Sequence, residues 1–277
     1  MTFRNVLVAY NGGAGSAAAL EFALWLAEQH EAHLTGILAH GASQFTQKIP
    51  AWLTKSLKSS LTDIMDDRIA ELTRAFQTAT EGRIAPERLH WLDVREEPDQ
   101  AVARFARLYD LTIVGQYENL LGADELVLHP DRIAYASGRP TLLIPRDMDV
   151  AQAQSETAVV AWDGGRRAAR AFFDAMPILR RRKRVILATI DQGRSGNALV
   201  SPDNLARILG RHELPLEHRI LEPDGSTAAT LLKLCQQENA SPLVMGAYEH
   251  SRWSEDLMGG VTQEMTQTLS VPILMSH

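Results

Sequence analysis

The feature that most limits what this chain can fold into is an internal repeat. The stretch VAYNGG (Val8 to Gly13) returns as VAWDGG (Val160 to Gly165), changed only at Tyr10 against Trp162 and Asn11 against Asp163. Each copy opens a run in which short, β-branched, nearly continuous apolar segments alternate with longer helical patterns. Segments that are apolar throughout read as strands buried on both faces. Strands that alternate with helices are joined by crossovers into a parallel sheet.

In the first copy NVLVAY, AHLTGILAH, LHWLDV, LTIVGQ and PTLLIP read as strands. SAAALEFALWLAEQH, the amphipathic stretch from Ala51 to about Thr80, DQAVARFARLY and ADELVLHPDRIAYAS read as the helices between them. The second copy repeats the order with strands TAVVAW, RVILATI, LEHRIL, PLVMGA and VPILMS, and helices RRAARAFFDAMPIL, PDNLARILGRH, STAATLLKLCQQ and VTQEMTQTLS. Pro140 and Pro272 each open the last strand of a copy, and the polar RDMDVAQAQSE (Arg146 to Glu156) reads as a linker. The expectation is an α/β protein of two repeated doubly wound domains, residues 1–148 and 156–277, each a five-stranded parallel sheet flanked by helices. PTLLIP and VPILMS are positioned to pair within the chain and make an intramolecular pseudo-dimer. In the long amphipathic stretch, Leu53, Leu57, Leu61 and Ile64 form one stripe, expected to lie against the sheet.

Composition excludes several function classes. A net charge of −6 and a pI near 5.9 do not suit a nucleic-acid binder, which needs a basic face to neutralise phosphates. The one basic run, LRRRKRV (Leu179 to Val185), reads as a solvated helix end whose cations suit the helix dipole. No segment reaches the length of a membrane span, so no membrane partner is expected, and the setting is read as cytoplasmic. The single cysteine, Cys235, sits on an apolar helix face and reads as a core residue. His30, His33 and His40 read as surface residues rather than metal ligands. There is no Gly-x-Ser-x-Gly elbow and no His-Glu-x-x-His pair, so efficient catalysis is not expected.

Open parallel sheets take ligands beyond the carboxyl ends of their strands, where the strand order reverses. In the second copy WDGG and GAYEHSRWSEDLMGGVT (Gly246 to Thr262) reach that place. Gly246 would let backbone pass close to a ligand, and Gly259 and Gly260 precede a helix whose free N–H groups suit an anion. Asp163 is placed to accept from ribose hydroxyls or to hold a cation. Turn geometry and helix entry explain the same glycines equally well.

These residues, with the strand LVMGAYEHSR and the closing GGVTQEMTQTLSVPILMSH, resemble a tandem universal stress protein over nearly the whole chain. The resemblance implies an adenine-nucleotide alpha-hydrolase-like fold and a stress-response role without efficient catalysis, at most slow ATP hydrolysis. Members that bind ATP carry Asp after strand 1 and a Gly-x2-Gly-x9-Gly-(Ser/Thr) signature after strand 4. Here the first and third glycines fall at Gly246 and Gly259, while Glu249 stands at the second and Gly260 at the hydroxyl position. The implied nucleotide set is Asp163, Thr189 or Ile190, Gly246, Gly259 and Gly260, with Arg252 for phosphates, taking ATP or a related adenine nucleotide with Mg. The first copy departs further: Asn11 replaces the Asp, Glu118 follows Gly115 where a glycine is expected, and Ser137–Gly138 is reversed. The expectation is a lost nucleotide site there. The resemblance also implies dimerisation through last strands, with a further homodimer open. The rival expectation is an interaction protein that works through its surfaces without nucleotide.

Overall fold

The computed structural model describes residues 2–41, 55–120, 126–191, 202–247 and 260–277. The first half supplies β1 (Asn5–Ala9), β2 (His33–Ala39), β3 (Leu89–Val94), β4 (Leu111–Gly115) and β5 (Thr141–Ile144). The second supplies β6 (Thr157–Ala161), β7 (Arg184–Ile190), β8 (Leu216–Leu221), β9 (Leu243–Gly246) and β10 (Ile273–Ser276). All ten join one sheet in the order β3-β2-β1-β4-β5-β10-β9-β6-β7-β8. Within each half every pairing is parallel; at the centre β5 and β10 pair antiparallel, with Leu142 opposite Leu274. The pairing of PTLLIP with VPILMS expected from sequence is therefore present, and a pseudo-twofold relates the halves.

The burial of the strands explains their composition. β4 and β5 are buried along their whole length, whereas the edge strands β3 and β8 are only partly covered. Helices α1 (Ala14–His30), α2 (Lys55–Thr80), α6 (Arg166–Asp174), α7 (Met176–Leu179) and α8 (Pro202–Gly210) cover one face. Helices α3 (Pro98–Ala106), α4 (Pro130–Ser137), α9 (Thr227–Gln237) and α10 (Gly260–Gln267) cover the other. Between the halves runs a one-turn helix, α5 (Val150–Ala153), inside the expected linker; Asp149 caps it by accepting from Ala151 N at 2.9 Å. The core on the first face is continuous across the seam, from Leu20 and Leu24 of α1 through Leu142 and Leu274 to Phe172 and Leu179. On the other face Ala134 and Leu143 of the first half pack with Met265 and Ile273 of the second.

Prolines set the helix boundaries that periodicity misplaces. Among the described residues of ADELVLHPDRIAYAS the α-helix begins at Pro130, which takes the first-turn position where its missing N–H costs nothing. RRAARAFFDAMPIL splits into α6 and α7, with Pro177 in the first turn of the second piece. The expected stripe on α2 is also corrected. Ile64 is 63% exposed, and the buried face is carried by Ile69, Leu72 and Phe76; Leu53 and the side chains of Leu57 and Leu61 lie outside the described residues. His30 and His40 are buried rather than on the surface, His40 against Asp93 at 2.6 Å. His33 is exposed and stacks on His90. Cys235 is buried, as expected, and burial pushes its thiol up to about 12. Among the described residues no helix is long and apolar enough to cross a membrane.

Candidate functional site

The strand order reverses between β1 and β4 in the first half and between β6 and β9 in the second, so each half has one crevice. The turns that open the two crevices are close copies. Gly12 and Gly164 have φ of +78° and +79°, a left-handed conformation that favours glycine. Gly13 and Gly165 then cap α1 and α6 with φ/ψ of −75°/164° and −78°/163°. In the first turn Asn11 Oδ1 accepts from Gly13 N at 3.1 Å; in the second Asp163 Oδ1 accepts from Gly165 N at 2.7 Å. Either residue type closes this local turn. What distinguishes them lies above the turn.

In the first half the space over the turn is filled from within. Asn11 is buried, and its Nδ2 donates to the Leu126 carbonyl at 3.0 Å. A methyl group added at Gly12 would meet Leu72 Cδ2 at 2.2 Å, and one at Gly13 would meet Glu118 Oε2 at 2.2 Å. The Glu118 carboxylate thus lies against the opening of α1, where a helix favours negative charge. Arg146, just past β5, neutralises it at 3.1 Å. Four groups, Leu72, Glu118, Leu126 and Arg146, close a crevice that the backbone alone would leave open.

The second half differs. Asp163 is exposed, Gly164 has no described atom within 4 Å of where a side chain would begin, and the nearest described atoms to a side chain on Gly165 belong to the Asp163 carboxyl. Arg166 and Arg167 open α6 beside it. Because β6 lies between β9 and β7, Asp163, Gly246 and the Thr189–Ile190 pair stand at the carboxyl ends of three adjacent strands. Thr189 Oγ1 is hydrogen-bonded with His218 Nε2 at 2.9 Å, and Ile190 packs on the apolar cluster beneath α9. Gly260 begins α10. Arg252, Gly259 and Glu249 lie outside the described residues.

Gly115 and Gly246 share a structural duty at the switch point. A Cβ on Gly115 would overlap the backbone of Gly15 at 2.2 Å, and one on Gly246 would meet Arg167 Cβ at 2.7 Å and Ala168 N at 2.9 Å. Close packing of the first helix of each half on its strand accounts for both glycines. Sequence reasoning marked Glu118 by position but missed Leu72, Leu126 and Arg146. Their only signal was a long side chain where the resemblance expects glycine. Among the described residues no cluster of His, Cys, Asp and Glu could hold a metal ion by itself.

Parallel half-sheets with the order 3-2-1-4-5, joined through their last strands, define a tandem doubly wound α/β protein. Among solved structures, a universal stress protein from Archaeoglobus fulgidus DSM 4304 is 15% identical, covers 98% of this chain and 97% of its own, and superposes with a TM-score of 0.71. A putative universal stress protein from Pseudomonas aeruginosa UCBPP-PA14 is 17% identical over 99% of this chain and 93% of its own, with a TM-score of 0.57. A protein of unknown function from Pseudomonas aeruginosa PAO1 gives the same TM-score of 0.57 at 15% identity, over 99% and 92% of the two chains. No protein-family model and no curated protein matches the sequence. The fold is that of the universal stress proteins, present twice in one chain.

Proposed function

We propose that the chain is a tandem universal stress protein whose second half, residues 156–277, binds ATP or a related adenine nucleotide, while the first half, residues 1–148, has become a structural partner. The observation that supports this most is the asymmetry above the two matched turns. The first is covered by Leu72, Glu118 and Leu126; the second presents an exposed carboxylate at Asp163. One Asp163 oxygen holds the turn and its other oxygen is available to a ribose hydroxyl or to a magnesium ion brought with the nucleotide. Arg166, and Arg252 by the resemblance, supply charge for phosphates; the fork of a guanidinium matches two oxygens. Thr189 and Ile190 end the strand whose backbone would face the adenine. The role proposed is binding, with at most slow hydrolysis; the two carboxylates that could serve as a general base, Glu249 and Glu255, lie outside the described residues.

The test is direct. Protein purified from cells is denatured and the supernatant examined by absorbance and mass for released adenine nucleotide. ATP titrations then compare wild type with Asp163→Ala and Asn11→Ala. The expected result is loss of affinity in the first variant and little change in the second. Equal loss in both refutes the asymmetry. Absence of nucleotide in every preparation, with no binding in titration, favours a protein that acts through its surfaces alone.

A further inference from the structure

The repeat allows the two crevices to be compared position by position, and one polar pair of the second has an apolar counterpart in the first. Val8 and Val160 open the matched VAYNGG and VAWDGG. Across β1, β2 and β3, Val8 pairs with Gly36 and Gly36 with Trp91; across β6, β7 and β8, Val160 pairs with Leu187 and Leu187 with His218. His218 therefore stands where the first half has Trp91. Two residues further along the second strand of each half, on the same face, Thr189 stands where the first half has Leu38.

In the first half that position reveals where its side chain points. Leu38 is fully buried in a cluster with Ile69, Leu72 and Leu126, and Trp91 packs against it. Leu72 and Leu126 are the residues that close the first crevice, over Gly12 and Asn11. A side chain at the Leu38 position thus faces the crevice from the neighbouring strand. In the second half Thr189 holds that position, is only partly buried, and its Oγ1 is hydrogen-bonded with His218 Nε2 at 2.9 Å. Packing alone favours the leucine and tryptophan of the first half, since a hydroxyl and an imidazole bury less apolar surface. A hydroxyl held in one direction at an open crevice suits a ligand with a polar edge.

We infer, resting on the nucleotide reading of this crevice, that Thr189 and His218 read the edge of the nucleotide base. In the strand order β9-β6-β7, Thr189 lies on the far side of Asp163 from Gly246. With the ribose at Asp163 and the phosphates on the Gly246 side, the base falls beside β7. His218 Nε2 accepts from the Thr189 hydroxyl, which engages the only proton of that group and leaves its lone pairs to the crevice. The hydroxyl oxygen then accepts from an exocyclic amine, as on adenine, and repels a carbonyl, as on hypoxanthine. Thr189 touches the base. His218 is a positioning residue, without which the hydroxyl turns freely and serves either kind of edge.

Calorimetric titration of the full chain with ATP, ITP and purine riboside 5′-triphosphate, each with magnesium, tests the pair. The purine analogue lacks the amine, and ITP carries a carbonyl in its place. Wild type is expected to bind ATP about threefold to tenfold more tightly than the purine analogue, the equivalent of one hydrogen bond. ITP should bind at least about tenfold more weakly than ATP, because its carbonyl meets a fixed acceptor. Thr189→Val should bring ATP to the level of the purine analogue and change the analogue's own affinity less than about twofold, while Thr189→Ser keeps the preference for ATP. His218→Phe should lower the ATP-to-ITP preference by about threefold or more with the purine analogue nearly unchanged; a His218 that only supports the sheet would shift all three nucleotides together. An ATP-to-ITP ratio near or below one in wild type overturns the inference. So does a ratio unmoved by Thr189→Val or by His218→Phe, or one lost in Thr189→Ser; in each case continued ATP binding leaves the crevice reading standing. Failure of all three nucleotides to bind wild type refutes the crevice reading and the base-reading pair with it.

Discussion

Restoring the acidic residue to the first half is expected to damage the protein. Asn11→Asp replaces an amide that donates to the Leu126 carbonyl at 3.0 Å by a carboxylate oxygen facing that same carbonyl. The position is 7% exposed, the charge of Arg146 is already matched by Glu118 beside the adjoining turn, and Arg68, whose guanidinium lies 3.8 Å from where a side chain on Gly12 would begin, is engaged with Glu71 at 2.7 Å. Losing the hydrogen bond costs about 1 kcal/mol, and confining a carboxylate whose second oxygen faces a carbonyl with no donor adds about 2 kcal/mol. A total of about 3 kcal/mol corresponds to a fall in Tm of roughly 6–9 °C for a chain of this size. The sign of the pH dependence follows. Repulsion raises the pKa of the new carboxyl in the folded state above its unfolded value near 3.9, so the penalty is full at neutral pH and disappears as pH falls below that value. A protonated carboxyl can donate to Leu126 as the amide does. Thermal unfolding of wild type and variant at pH 7 and near pH 4 measures the gap, and Asp163→Asn, exposed and still able to accept from Gly165 N, should differ from wild type by less than about 0.5 kcal/mol. If Asn11→Asp matched wild type at both pH values, the buried amide contact and the closed first crevice would be wrong.

Three further outcomes are expected. Gly115→Ala should cost more than about 3 kcal/mol in chemical denaturation, because its methyl would enter the Gly15 backbone, and Gly246→Ala should cost less, its closest contact being 2.7 Å against 2.2 Å. His30 Nδ1 accepts from Phe3 N at 3.3 Å and its pKa is lowered to about 4, so wild type should lose up to roughly 3 kcal/mol relative to His30→Gln as pH falls from 6.5 to 4, where the unfolded chain binds the extra proton; parallel stability curves would refute this. Cys235, with its thiol pushed up to about 12, should resist alkylation in the folded protein at pH 8 and react on unfolding, as followed by mass.

Much of the architecture was readable because its signals are local. Runs such as TIVG and LLIP are apolar without alternation, which only a doubly covered sheet requires, and the repeat then sets the topology of both halves at once. Positions where a single residue overrides periodicity were read less well. Pro130 and Pro177 move helix starts, and Ile64 continues an apolar stripe past the point where α2 meets the sheet, so it is exposed at 63%. Least legible were contacts between distant segments. Leu72, Leu126 and Arg146 converge on the turn at Gly12 and Gly13, and nothing in their own neighbourhoods marks that destination. His30 is buried for a similar reason: the Phe3 ring packs against it, tilted by 43° at 5.1 Å between centroids, and the second half's Arg181 lies near enough to act on its charge.

The antiparallel junction at β5 and β10 explains how two crevices of common plan can take different courses. Because the halves run in opposite directions from the seam, the carboxyl ends of their strands point to opposite ends of the sheet, and a side chain in one crevice cannot reach the other. In a homodimer built on the same plan every substitution would appear at both sites, so a Glu at the position of Glu118 would affect both crevices together. Joining the halves in one chain removes that constraint. Glu118 can lie against the opening of α1, with Arg146 of the adjoining segment balancing its charge, while Asp163 stays exposed at the other end. The packing at the seam has no such freedom, since α1, α7 and both central strands share a single core. A change there is felt by both halves, which is the physical reason for seeking coupling between them at the Arg181–Gln29 contact rather than between the crevices.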